Sequence, residues 1–119
     1  MKDNKLGDKA RLQHILQSVN EINQYIGNAD FEIFEQNTML HNACIRQLEI
    51  IGEATNRLSL DLKESSPEIS WVQIIGLRNL LIHEYFEIKL EVIWEVIQYD
   101  LPPLQVQIET MLNNLTEDV

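Results

Sequence analysis

The sequence predicts an all-α fold, an up-and-down bundle of four long helices, and three observations point to it. Apolar residues recur at steps of three and four in four separate runs, the spacing that places them on one face of a helix. No stretch alternates apolar and polar residues as a half-buried strand would. The 119 residues are 45% hydrophobic with only three prolines and four glycines, a composition of long helices rather than of sheet or disorder. That length suits a single domain over residues 1–119, large enough for a real core but not for two.

The first helix is expected over residues 8–26, where Leu12, Ile15, Leu16, Val19, Ile22 and Ile26 form one apolar stripe. Asp8 is a suitable N-cap, and Gly27-Asn28 a suitable stop. His14 lies off the stripe and reads as a solvated surface histidine. The second helix opens at Asp30 or at Thr38 and runs to about residue 59. Its stripe is Leu40, Cys44, Leu48, Ile51, Thr55 and Leu58, but Met39, Ala43, Ile45, Ile50 and Ala54 cover further faces. A helix apolar on that much of its circumference is central in a bundle, or serves a core and an interface together. Gly52 marks a close helix crossing, because glycine in a helix interior otherwise costs about 1 kcal/mol. Arg46, Glu49 and Glu53 are spaced to interact along one side. They read as ordinary surface pairing, or as support for a site elsewhere.

From residue 60 to 69 the pattern weakens, and Ser65-Ser66-Pro67 marks a turn. Ser70 opens the third long helix with a capping box to Gln73. Trp71, Ile74, Ile75, Leu77, Leu81 and Ile82 leave that helix little polar surface, so it is expected to be buried. The last helix carries Ile93, Trp94, Ile97 and Leu101, then Leu104, Ile108, Met111, Leu112 and Leu115. Pro102-Pro103 falls between the two runs and is expected to break it.

Charge narrows the function. The formal net charge is −10, and all of the deficit falls after residue 30. Such a surface repels nucleic acid at long range, yet it allows a short phosphate contact made by one or two arginines. The polar start lacks an apolar run, and the longest apolar stretch is interrupted by Gln73 and Arg78, so neither a signal peptide nor a membrane span is expected. A single cysteine, Cys44, excludes an internal disulfide and fits a reducing cytoplasm, where it reads as a small core residue. His41 is not assigned as a metal ligand, and no metal or other cofactor is expected.

The densest polar chemistry lies in S-W-V-Q-I-I-G-L-R-N-L-L-I-H-E-Y-F, residues 70–86. Arg78, Asn79, His83 and Tyr85 stand there in otherwise apolar company, where a polar side chain needs a partner or a task. On a helix Asn79 and His83 share one face, and Arg78 and Tyr85 another. Arg78 and His83 lie roughly 140° apart around the axis, so a working pair needs a distortion or a second subunit.

The R-N-L-L-I-H-E-Y run resembles the motif of the HEPN superfamily, in which an arginine is followed after four residues by a histidine and, one residue further, by a tyrosine. R-Q-L-E-I-I-G-E-A, P-E-I-S-W with I-I-G-L-R-N after it, and V-I-W-E-V-I-Q-Y-D-L-P-P-L place the wider context in its HepT-like branch. The resemblance implies the toxin half of a type VII-like toxin–antitoxin pair: a homodimeric, metal-independent endoribonuclease acting on cellular RNA, tRNA or mRNA. By that resemblance Arg78 and His83 are catalytic at a composite dimer-interface site, and Asn79 supports them or contacts RNA. Tyr85 is implied as the acceptor of AMP from a cognate minimal nucleotidyltransferase antitoxin. The alternative is a non-catalytic HEPN module that binds a nucleotide or that nucleotidyltransferase. Glu84 stands where the family often has glycine, and Lys89 where it often has aspartate, so the cap of the last helix is expected to be lost.

Overall fold

The computed structural model describes the backbone of residues 2–83 and 88–117 and the side chains of residues 7–82 and 88–115. Its described elements are all helical: α1 (Lys2–Ile26), α2 (Phe31–Gln36), α3 (Thr38–Asn56), α4 (Leu60–Ser65), α5 (Trp71–His83), α6 (Leu90–Glu95), a π-helical turn (Val96–Asp100) and α7 (Leu101–Glu117). The four long rods expected from the sequence are α1, α3, α5 and the α6–α7 unit; α2 and α4 are short additions between them. Among the described residues, no helix is long and apolar enough to cross a membrane.

The α1 stripe is buried from Leu12 through Ile26, with Leu16 at its edge. Gly27 ends the helix at a φ of +51°, a left-handed conformation that costs glycine nothing. Asp8 does not cap α1, which begins earlier. Its buried carboxylate accepts instead from the Ser59 amide at 2.8 Å and the Ser59 hydroxyl at 2.6 Å. Ser59 in turn caps α4, accepting from Leu62, so a buried acid on the first helix fixes the start of a helix 51 residues further on.

Both candidate starts of the second helix are used. Asp30 caps α2 and Asn37 caps α3, accepting from the third residue beyond each, Ile33 and Leu40. The short α2 then docks on α6 through Phe34 and Trp94, whose ring centroids are 5.1 Å apart. His41 is held by the same corner: its Nδ1 donates to the Phe34 carbonyl at 3.0 Å. The α3 stripe from Cys44 to Thr55 is buried against α1 and α5, which makes α3 the central rod. Cys44 lies fully in this core, and burial pushes its thiol up to about 11.

At the prolines the structure departs from a break. Pro102 and Pro103 sit in the first turn of α7, and the disturbance lies just before them, in the π-turn. A proline cannot donate to the carbonyl four residues earlier. The chain widens by one residue there, and the Leu101 amide reaches back to the Val96 carbonyl. The Lys89 start of α6 has no side-chain cap, as the lysine at that place implies.

A motif helix held on one side

Trp71 anchors the start of α5. Its indole Nε1 donates to the carbonyls of Lys63 and Ser66 at 2.9 and 3.1 Å, tying α5 to α4. The expected capping box is replaced by backbone closure, with the Gln73 and Ile74 amides both 3.1 Å from the Ser70 carbonyl. Beyond that anchor, α5 packs mainly on α3. A cleft of about 440 Å³ separates it from the α6–α7 unit, lined among others by Ile74, Leu77, Val96 and Leu104.

The helix is therefore not buried as its composition suggested. Only Trp71 and Leu81 are buried; Val72 is 83% exposed, and Leu80 and Ile82 about half that. Val72, Gly76 and Asn79 fall on one exposed stripe, a Cβ added at Gly76 would meet open space, and position 83 continues the spacing. The apolar excess of α5 is real, but within the single chain much of it covers nothing.

The opposite side of α5 meets α3 very closely. A Cβ at Gly52 would overlap the Arg78 Cβ and lie 2.7 Å from its Cγ and 3.2 Å from its Cα. The missing side chain of Gly52 is what lets the Arg78 stem lie flat against α3. From there the guanidinium is clasped twice. Its Nη2 is 2.7 Å from Glu53 Oε2, and its Nη1 donates to Asn79 Oδ1 at 2.9 Å. Its Nε is buried and has no hydrogen-bond partner among the described residues.

Glu53 also accepts from Arg57 Nε at 2.9 Å through its other oxygen. That hydrogen bond, reinforced by the charge of Arg78, holds the Glu53 carboxyl below the usual range. Glu53 is thus neither idle surface nor part of an Arg46 pair; Arg46 bonds Glu49 instead, at 3.2 Å. Spacing along α3 could show that these side chains are neighbours. It could not show that Arg78, on another helix, takes the carboxylate.

Of the four residues singled out in the motif, the structure brings Arg78 and Asn79 into direct contact. The His83 side chain and all of Tyr85 lie outside the described residues, as does Glu84. No group of three or more His, Cys, Asp or Glu side chains suited to a metal ion occurs among the described residues.

The model of the family described as "Ribonuclease HepT-like" matches residues 15–111. A protein of Methanocaldococcus jannaschii named "Putative RNase" is 39% identical over 101 residues, covering 85% of this chain and 93% of its own. One of the same name from Caldanaerobacter subterraneus subsp. tengcongensis is 38% identical over 101 residues, covering 85% and 90%. A "Probable ribonuclease HepT" of Thermococcus cleftensis is 34% identical over 107 residues, covering 90% and 97%. No solved structure matches the chain. An all-helical bundle that carries the arginine–histidine motif on a half-uncovered helix agrees with these matches, and the chain belongs to the HepT-like ribonuclease family.

Proposed function

We propose that the protein is a metal-independent endoribonuclease and the toxin of a type VII-like toxin–antitoxin pair. The observation that carries this reading is the held Arg78: a guanidinium fixed by Glu53 and by the exposed Asn79, on the helix whose next turn bears His83. A planar guanidinium with its stem immobilised is preorganised to grip two oxygens of a phosphate and to stabilise charge that builds on them.

The exposed apolar stripe on α5 supports a homodimer in which two motif helices meet. Val72 and its neighbours are covered there, and the arginine of one face is brought towards the histidine of another. In this site the neighbouring ribose 2′-hydroxyl attacks the phosphorus as the bond from phosphorus to the 5′-oxygen breaks. His83 takes the proton of the 2′-hydroxyl and supplies one to the departing 5′-oxygen, which suits a side chain that titrates near neutral pH. The products are a 2′,3′-cyclic phosphate and a free 5′-hydroxyl.

Tyr85 is the proposed control point, modified with AMP by the cognate minimal nucleotidyltransferase. A phosphodiester two residues beyond His83 would compete for Arg78 and repel RNA. A cytoplasmic setting accords with a single cysteine and with RNA as substrate.

End-group chemistry tests the nuclease reading. The purified protein incubated with total RNA should leave cyclic phosphates at new 3′ ends, and a His83→Ala preparation should leave none. New ends carrying 3′-hydroxyls would refute the 2′-hydroxyl mechanism.

A further inference from the structure

All four arginines of the chain, Arg11, Arg46, Arg57 and Arg78, line one groove of about 610 Å³ on the α1–α3–α5 side of the bundle. Among the described side chains, none of the lysines Lys9, Lys63 and Lys89 is among its lining residues. Among the described residues the groove also holds two carboxylates, Glu49 and Glu53, so these ionic side chains leave an excess of two positive charges. With an overall charge of −10, the remainder of the chain then carries −12. In so acidic a protein, convergence of every guanidinium on one depression is a selective arrangement, and arginine is the side chain whose planar fork matches phosphate oxygens.

The groove is shaped to be entered. Gly7, Ala10 and Ala54 keep its wall low, and the Arg46 and Arg57 side chains are 70% and 64% exposed. Arg11 makes no ion pair among the described residues and lies against Gly7, where an added Cβ would come 2.6 Å from its Nη1. Arg46 and Arg57 stand three helical turns apart on α3, about 16 Å of rise, long enough for more than one backbone phosphate. Arg78 lies at the α5 edge of the same groove.

We propose that this groove is a phosphate-backbone subsite for single-stranded RNA, in which Arg11 and Arg46 bind phosphates flanking the one held at Arg78. The proposal rests on the nuclease reading for the role of Arg78, but it assigns a separate binding surface with its own readout. It also accounts for how a chain of this charge could bind RNA: the backbone would meet a local excess of positive charge and avoid acidic surface.

Binding of a single-stranded oligouridylate to His83→Ala protein, measured by fluorescence anisotropy across a salt series, tests it. Arg11→Gln with Arg46→Gln removes two guanidiniums that do not touch Arg78. Affinity should fall about tenfold at low salt, and the slope of log affinity against log salt should become shallower by about 1.4. Arg11→Lys with Arg46→Lys should retain most of that slope, which separates loss of charge from loss of fold. Lys63→Gln with Lys89→Gln makes the same change in net charge outside the groove and should leave both quantities within about twofold. Unchanged binding in the arginine-to-glutamine pair, or an equal loss in the lysine pair, would overturn the proposal. Cleavage of the same oligonucleotide by the wild-type protein is scored separately. Arginine-dependent binding without any cleavage would remove the nuclease reading and leave the groove in place.

Discussion

Arg78 of α5 and Glu53 of α3 form a 2.7 Å ion pair directly beside the point where Gly52 lets the two helices touch. The carboxylate holds the guanidinium in place, and it also occupies an edge that a phosphate bound as proposed would need. Removing that carboxylate should therefore separate binding from turnover. Glu53→Gln is expected to tighten RNA binding severalfold, since a like charge leaves the groove, and to lower the rate at saturation, since Arg78 loses its orientation. Single-turnover kinetics over a range of RNA concentrations reads both; a Glu53→Gln protein with the wild-type rate and affinity would show that the pair is incidental.

The same pair has a pH signature. Glu53 has a folded-state pKa below its ordinary value of 4.5, so its ionised form stabilises the fold above that pH. This contribution is lost as pH falls from about 4.5 through the lowered folded value. Melting temperatures of wild type and Glu53→Gln should differ near neutrality and converge below that window. A gap that widens on acidification would contradict the assignment.

Gly52→Ala places a methyl group into the Arg78 stem. The α3–α5 crossing must open, at a cost of about 1–3 kcal/mol for overpacking. Urea denaturation should show that loss, and RNA cleavage should fall further than the folded fraction explains, because the displaced residue is the arginine proposed to bind phosphate. A stable, fully active Gly52→Ala protein would mean that the close crossing does not set the site.

The uncovered stripe on α5 predicts that a charge at its most exposed apolar residue breaks the proposed homodimer. Val72→Glu should sediment as a monomer at micromolar concentration with unchanged helicity, and lose cleavage with it. If wild type is itself a monomer, the composite site fails.

These relationships differ in how far the sequence reveals them. The α1 and α3 stripes, the stop at Gly27, the core place of Cys44 and the crossing at Gly52 follow from spacing within one helix, and the structure has them all. What spacing cannot supply is the identity of a partner from elsewhere in the chain. Asp8 looks like an N-cap because an acid at a helix start usually is one, yet it accepts from Ser59. The residues around α4 look like a turn because six residues carry too little periodicity to register. The apolar excess of α5 reads as burial because hydrophobicity does not say whether its cover lies in the same molecule. The four arginines stand far apart in sequence, and only the α1–α3–α5 packing brings them to one groove.

Tyr85 offers a test of the proposed regulation that does not depend on dimerisation. Co-expression with the nucleotidyltransferase proposed as its antitoxin should give an inactive protein heavier by one or more AMP units, all mapped to Tyr85. Tyr85→Phe should retain most cleavage and escape this inactivation. An unmodified Tyr85 in the neutralised protein would mean that the antitoxin acts by binding alone.

The central claim is that the Arg78–His83 motif itself cleaves RNA, without a metal ion. Its most direct measurement is cleavage of total RNA by purified protein in excess EDTA, comparing wild type with Arg78→Ala, Arg78→Lys and His83→Ala proteins shown to be folded. The account predicts undiminished cleavage by wild type, none by either alanine variant, and only partial recovery with lysine, which lacks the planar fork for two phosphate oxygens. Cleavage that persists in His83→Ala, or that appears only when magnesium is restored, would contradict it.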